Sequence, residues 1–218
     1  TAIAEADGVI VRSSVKLTEE ILDKAFQNPE CRLKGIARAG VGVDNIDLQT
    51  ATKYGIAVMN SASASTITTA EHAFALMISL ARNVANSNGV FRSGGWDRSK
   101  YVGVQLAGRT LGIVGMGRIG QAVARRALAF GMDVIGFDPF MKEVTALDGQ
   151  VRMMKSFNEL ITAVDIVSFH VPRTEETDGM LGAEQFAICK PDLLVVNAAR
   201  GGIVNEEALI QALDKNQC

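Results

Sequence analysis

Apolar residues along this chain fall into short, continuous runs separated by helical patterns, the arrangement of alternating strands and helices. Val9–Val11, Gly35–Ala37 and Ile56–Met59 read as three strands in the first part. Thr18 stands as N-cap for a helix over Glu19–Phe26. A shorter helix over Leu48–Tyr54 stops at Gly55, a left-handed cap position. Small residues Asn60–Ser65 then form a turn, and Thr68-x-x-Glu71 predicts a capping box for a long helix whose apolar positions continue to about Val90. No Gly or Pro interrupts Ala70–Ala85, so one helix over about 68–92 is expected to bridge two units, with the boundary between residues 64 and 65. The second unit, 65–218, shows strand runs near 111–114, 133–137, 151–153, 165–169 and 193–197. Ser156-x-x-Glu159 opens one of its helices and Asn205–Leu213 forms another. This alternation predicts an α/β fold on parallel sheets.

The strand at Leu111 breaks into Gly115-x-Gly117-x-x-Gly120 and runs on as a helix from Gln121. Gly115 permits the sharp turn off the strand, Gly117 admits a pyrophosphate close to the backbone, and Gly120 packs the helix on the sheet. Arg118 and Ile119 open the helix, whose N–H groups and positive dipole end face the phosphates. The next strand ends at Asp138, where a carboxylate accepts from ribose hydroxyls. A glycine fingerprint alone is weak evidence. Strand, glycines, helix, second strand and terminal acid in this order make a dinucleotide site the reading over a structural turn.

Composition narrows the picture. The 218 residues carry 48% hydrophobic and 21% charged positions, ordinary for a globular chain. A net charge of −2 leaves no basic footprint for nucleic acid. No apolar run approaches the roughly 20 residues that span a bilayer. The three cysteines, Cys31, Cys189 and Cys218, form no C-x-x-C pair, so neither a zinc site nor a disulfide framework is expected, and a cytoplasmic location is. No metal is expected. The chain opens on Thr1 inside a helical pattern, without Met, and is expected to be a fragment.

Several runs are similar to one family: Val11-Arg-Ser13, Arg38-Ala-Gly-Val-Gly-Val-Asp-Asn45, Ala70-Glu-His72, Gly95-Trp-Asp-Arg98, the glycine fingerprint, Asp138-Pro139, His170-Val-Pro172 and Asn197-Ala-Ala-Arg-Gly-Gly202. Together they resemble the D-2-hydroxyacid dehydrogenases, and within them the D-3-phosphoglycerate dehydrogenase branch. The resemblance implies a doubly wound Rossmann domain for NAD over 65–218 and part of a flavodoxin-like substrate domain over 1–64. It implies hydride transfer between nicotinamide and C2 of a small D-2-hydroxy acid, with 3-phosphoglycerate and serine biosynthesis foremost. A glyoxylate or hydroxypyruvate reductase, or an NAD-binding module without turnover, stays open beside it. A homodimer or higher homo-oligomer is also expected, from Phe91, Trp96 and Tyr101 clustered on one stretch.

Residue roles follow from both sources. Arg200, at the end of a strand and before Gly201-Gly202, suits either a carbonyl-capping arginine or a guanidinium that pairs with the substrate carboxylate; the resemblance implies the catalytic role. Gly40-Val41-Gly42 is a tight turn or an anion nest, and the resemblance implies substrate binding there, with Arg38 and with Arg12 for a phosphate. Val171, Pro172, Ala198 and Ala199 are expected to line the cofactor, and Arg200 to contact it as well. His170 and His72 tempt assignment as the proton-transfer base, but the resemblance makes them structural or cofactor-adjacent. Family members carry a catalytic Glu and His beyond the helix ending near Leu213, so the isolated 218-residue chain is expected to be inactive. The sequence departs from the family at Ala62, where a proline is usual.

Overall fold

The computed structural model describes residues 2–144 and 147–215; Cys218 lies outside them. Two compact units divide the chain, Thr1–Thr66 and Ile67–Cys218.

In the first unit, β1 (Gly8–Val11), β2 (Gly35–Arg38) and β3 (Ala57–Asn60) form a parallel sheet in the order β1-β2-β3. Helices α1 (Glu19–Phe26) and α2 (Leu48–Lys53) connect them. Asp47 caps α2 through a hydrogen bond from Thr50 N at 2.8 Å, and Gly55 takes the expected left-handed φ of 68°. The core is Val11, Leu17, Leu22, Leu33, Ile36, Ile46, Ala51 and Ile56.

In the second unit, β4 (Thr110–Val114), β5 (Asp133–Phe137), β6 (Val151–Met153), β7 (Ile166–Phe169) and β8 (Leu194–Asn197) pair in parallel in the order β6-β5-β4-β7-β8. The first strand in sequence is therefore the middle one, and the chain winds outward from it in both directions. Alternate residues of the strands enter two apolar layers. One layer packs α3 (Thr66–Ala81) and α5 (Arg118–Ala129) on the sheet through Ala70, Met77, Val123 and Ala127. The other packs α6 (Phe157–Ala163), α7 (Ala183–Ile188) and α8 (Glu206–Asp214) through Leu160, Phe186 and Ala208. Carboxyl ends of parallel strands share one edge, so the loops after β4, β7 and β8 emerge together there. The direction of winding reverses between β4 and β7, and the carboxyl ends of strands at such a point are the usual ligand position in parallel sheets.

The long bridging helix corrects the expectation. It is broken into α3 and α4 (Val84–Arg92), because Asn83 adopts a left-handed φ of 53°. The carbonyl of Ala81 turns out of the helix to accept from Val104 N at 2.7 Å. Asparagine tolerates this conformation without a Gly or Pro signal. The expected capping box is also displaced: α3 begins at Thr66, so Thr68 lies inside its first turn. Glu71 instead pairs with Arg126 of α5 at 3.1 Å.

Candidate functional site

The loop after β4 is shaped by steric limits at its glycines. Gly115 has φ of 91°, and a Cβ there would sit 2.6 Å from the His170 carbonyl oxygen. A Cβ on Gly120 would lie 2.1 Å from the Gly115 carbonyl oxygen, so the first turn of α5 rests directly on the loop. Gly117 differs from both. A Cβ there would meet nothing within 4 Å, so its missing side chain serves no packing inside the chain and leaves open space at the N-terminus of α5. Gly117 and Arg118 are exposed and Ile119 is half-buried, which presents the first N–H groups of the helix to that space.

Asp138 follows β5 and faces the same loop. Its Oδ2 accepts from Met116 N at 2.9 Å, and its Oδ1 accepts from Phe140 N at 2.9 Å. The carboxylate thus ties the glycine loop to the neighbouring strand end while keeping lone pairs available, since each oxygen can accept more than one bond.

After β7 comes His170, whose Nε2 lies 2.9 Å from Ser168 Oγ. Burial pushes its pKa down from 6.5 to about 4, so the ring is neutral near neutral pH. Val171 is half-buried and Pro172 exposed beside it. Ser168, fully buried on an otherwise apolar strand, was a signal available in the sequence for a hydrogen-bonding partner.

The turn after β8 carries Ala198, Ala199 and Arg200, all half-buried. Asn197 folds the turn on itself: Nδ2 donates to Arg200 O at 2.7 Å and Oδ1 accepts from Ala199 N at 3.1 Å. Arg200 Nη1 donates to Ala199 O at 2.8 Å. The bracing role of Asn197 was not assigned from sequence.

These positions fit a dinucleotide. They offer open space over Gly117, a helix N-terminus of donors, a carboxylate at the next strand end, small or neutral residues after β7, and two alanines with Arg200 after β8.

The first unit holds a separate polar group. Arg38, at the end of β2, donates from Nη2 to Ser13 Oγ at 2.7 Å, and its Nη1 donates to Ala39 O at 3.2 Å. Its guanidinium fills the space a Cβ on Gly40 would need, which Gly40 permits at φ of 155°. Gly40 N donates back to Arg38 O at 2.8 Å, so the consecutive N–H groups left to the predicted nest are those of Val41 and Gly42. Asn60 Nδ2 holds the loop at Val41 O, 2.7 Å away. Among the described residues, the buried Nε of Arg38 has no hydrogen-bond partner. Arg12 is exposed just past β1, and its carbonyl accepts from Asn45 Nδ2 at 3.2 Å.

Comparison with known proteins gives the family of the chain. Residues 74–218 match the family model of the D-isomer specific 2-hydroxyacid dehydrogenase, NAD binding domain. The D-3-phosphoglycerate dehydrogenase of Methanocaldococcus jannaschii is 43% identical over 99% of this chain, which spans 40% of that relative's length. A Granulicella formate dehydrogenase superposes with a TM-score of 0.91 at 29% identity, over 99% of this chain and 57% of its own. D-lactate dehydrogenase from Aquifex aeolicus, complexed with NAD and lactic acid, superposes with a TM-score of 0.88 at 33% identity, over 99% and 63%. The family model covers most of the second unit and the fold agrees across both units, so the chain belongs to the D-isomer specific 2-hydroxyacid dehydrogenase family and carries its NAD binding domain.

Proposed function

We propose that this chain is the NAD-binding part, with a portion of the substrate domain, of a dehydrogenase that interconverts 3-phosphoglycerate and 3-phosphohydroxypyruvate. The observation that carries this reading is the 43% identity to a D-3-phosphoglycerate dehydrogenase over 99% of the chain. Identities to the formate and lactate dehydrogenases are lower, at 29% and 33%.

NAD, when bound, accepts or supplies the hydride at its nicotinamide ring. The chain's own residues bind and orient the two reactants. N–H groups of Arg118 and Ile119, and the Arg118 side chain, hold the pyrophosphate over Gly117. Asp138 accepts from the adenosine ribose hydroxyls. Val171, Pro172, Ala198 and Ala199 line the cofactor, and their apolar surfaces keep water away from it. Arg200 pairs with the substrate carboxylate and polarises the reacting oxygen, so developing negative charge meets a fixed cation. In the first unit, Val41 and Gly42 N–H groups and Arg38 suit a carboxylate, and Arg12 a phosphate.

We also propose a homodimer through α4 and the segment after it, since α4 buries none of its residues and Phe91 and Trp96 are 64% and 76% exposed. A reducing cytoplasmic setting suits the free thiols of Cys31 and Cys189.

The test is a substrate panel on the full-length protein. NAD reduction with 3-phosphoglycerate, at a kcat/KM at least tenfold above those for glycolate, glycerate and D-lactate, is the expected result. Preferential NADH oxidation with glyoxylate or hydroxypyruvate would transfer the assignment to a reductase.

A further inference from the structure

Gly202 has φ of 88°, and the space its side chain would occupy is filled by an ion pair. A Cβ there would lie 2.7 Å from Arg173 Cζ, 2.8 Å from Arg173 Nε and 2.8 Å from Asp178 Oδ1. Arg173 Nε donates to Asp178 Oδ1 at 2.8 Å, with the two side chains 56% and 50% exposed. The pair therefore lies across the backbone of Gly202, two residues after Arg200 in sequence.

The segment that carries this pair is cross-linked by its own hydrogen bonds. Thr177 Oγ1 donates to Pro172 O at 2.7 Å and accepts from Thr174 N at 2.8 Å, and Asp178 N donates to Thr174 O at 2.9 Å. Immediately downstream it runs alongside the residues after the Arg200 turn. Gly179 N donates to Gly202 O at 2.6 Å, Leu181 N to Ile203 O at 3.2 Å, and Asn205 N to Leu181 O at 3.0 Å. The Arg200 turn is thus held on two sides. Asn197 closes it from upstream, and the 172–181 segment closes it from downstream with the ion pair as its outer clasp. Between them Gly201, where a Cβ would meet nothing within 4 Å, offers the turn no packing of its own.

We infer that Arg173 and Asp178 are positioning residues for Arg200: their ion pair, seated on Gly202, fixes the backbone from which the Arg200 guanidinium reaches the substrate. The inference rests on the role proposed for Arg200. Neither residue of the pair touches substrate. Their effect passes through the 200–202 backbone, and a guanidinium that must meet a carboxylate in fork geometry is sensitive to small displacements of its anchor. Small side chains at 201 and 202 are then needed for two reasons, ligand access at the first and a seat for the clasp at the second.

The experiment uses the full-length protein and the variants Arg173→Gln, Asp178→Asn, the double exchange Arg173→Asp/Asp178→Arg, and Arg200→Ala. Exposed ion pairs contribute little to stability, so the melting temperature and the NADH Kd of both single variants should stay close to wild type. The expected change is a roughly three- to tenfold fall in kcat/KM for 3-phosphoglycerate, carried in both KM and kcat, with partial recovery in the double exchange. Added salt should narrow the gap between wild type and the single variants, because screening weakens the exposed pair. Unchanged kinetics in both single variants, beside an Arg200→Ala enzyme that has lost activity, overturn this inference alone. A fall in kinetics that tracks an equal loss of NADH binding or melting temperature also overturns it, by making the pair merely structural. An Arg200→Ala enzyme with full activity overturns the role of Arg200 and this inference with it.

Discussion

Asp138 and Met116 are joined by a hydrogen bond of 2.9 Å, from the N–H in the middle of the glycine loop to the carboxylate at the end of the adjacent strand. The acid thus supports the loop's shape, and in the proposed site it would present negative charge to the ribose of the dinucleotide. A 2′-phosphate would meet that charge, and no Lys or Arg lies between Asp138 and Lys142 to offset it. Charged hydrogen bonds are worth about 1.5–3 kcal/mol, so NAD should bind ~10- to 100-fold better than NADP. Fluorescence titration with NADH and NADPH measures this, and equal affinities would falsify it. Asp138→Ala should weaken NADH as well as relax the preference, because the loop loses its brace.

Gly117 and Gly120 stand in one motif but should fail differently. Gly117→Ala meets nothing within 4 Å in the chain and should leave thermal stability unchanged, while lowering NADH affinity by about tenfold or more through lost pyrophosphate approach. Gly120→Ala drives a Cβ against the Gly115 carbonyl and should destabilise the second unit by at least ~1–3 kcal/mol. Thermal melts beside NADH titrations separate the two. A Gly117→Ala protein that binds NADH normally would count against phosphates lying over that glycine.

His170 gives the chain a pH signature. Its ordinary pKa is 6.5 and its folded value about 4, so between those values the unfolded chain takes up a proton that the folded chain refuses. The stability it confers is whole above about pH 6.5 and is lost as the pH falls towards 4, up to about 3 kcal/mol. His170→Gln, which can still bond Ser168, should flatten this part of the profile. Urea melts of both proteins at several pH values between 7.5 and 4.5 test it, and parallel profiles would exclude the effect.

A polypeptide of residues 1–218 should bind NADH yet turn over 3-phosphoglycerate at a rate too low to measure. Its two histidines are His72, exposed on α3, and His170, held neutral by burial and engaged with Ser168. With its basicity lowered, His170 is expected to be a poor acceptor for the proton of a substrate hydroxyl, a step worth typically ~10²–10⁴-fold. Measurable turnover that disappears in His170→Gln would identify His170 as the base and refute this assignment.

Trp96 and Phe91 meet edge to face, with ring centroids 6.1 Å apart, beside an open groove of about 570 Å³. If these rings are an association surface, Trp96→Ala with Phe91→Ser should shift the full-length protein from dimer to monomer at micromolar concentration. Light scattering reads the mass. A dimer that survives both substitutions would place the contact elsewhere.

Much of the second unit could be read before any coordinates, for physical reasons that vary by element. Parallel strands buried on both faces are continuous apolar runs, so Leu111–Val114 and Asp133–Phe137 stood out, and the glycines after β4 marked the turn between strand and helix. The break at Asn83 was hidden because asparagine enters a left-handed conformation without the Gly or Pro that usually announces one. Helix α7 was missed because six residues after a glycine are too few to show a period. Contacts set by tertiary folding left no local mark: Arg38 finds Ser13 across 25 positions, and the Arg173–Asp178 pair gains meaning only where it crosses Gly202.

The central place of β4 divides inheritance within the fold. The strand before the glycine loop and the acid that braces it lie in the continuous stretch from Thr110 to Asp138, while the His170 carbonyl closes on Gly115 from the end of β7. Arg200 reaches the same edge of the sheet from two strands away, braced by a different stretch of the gene. Substitutions in the turn after β8 can therefore change the surroundings of Arg200 without altering the stretch from Thr110 to Asp138.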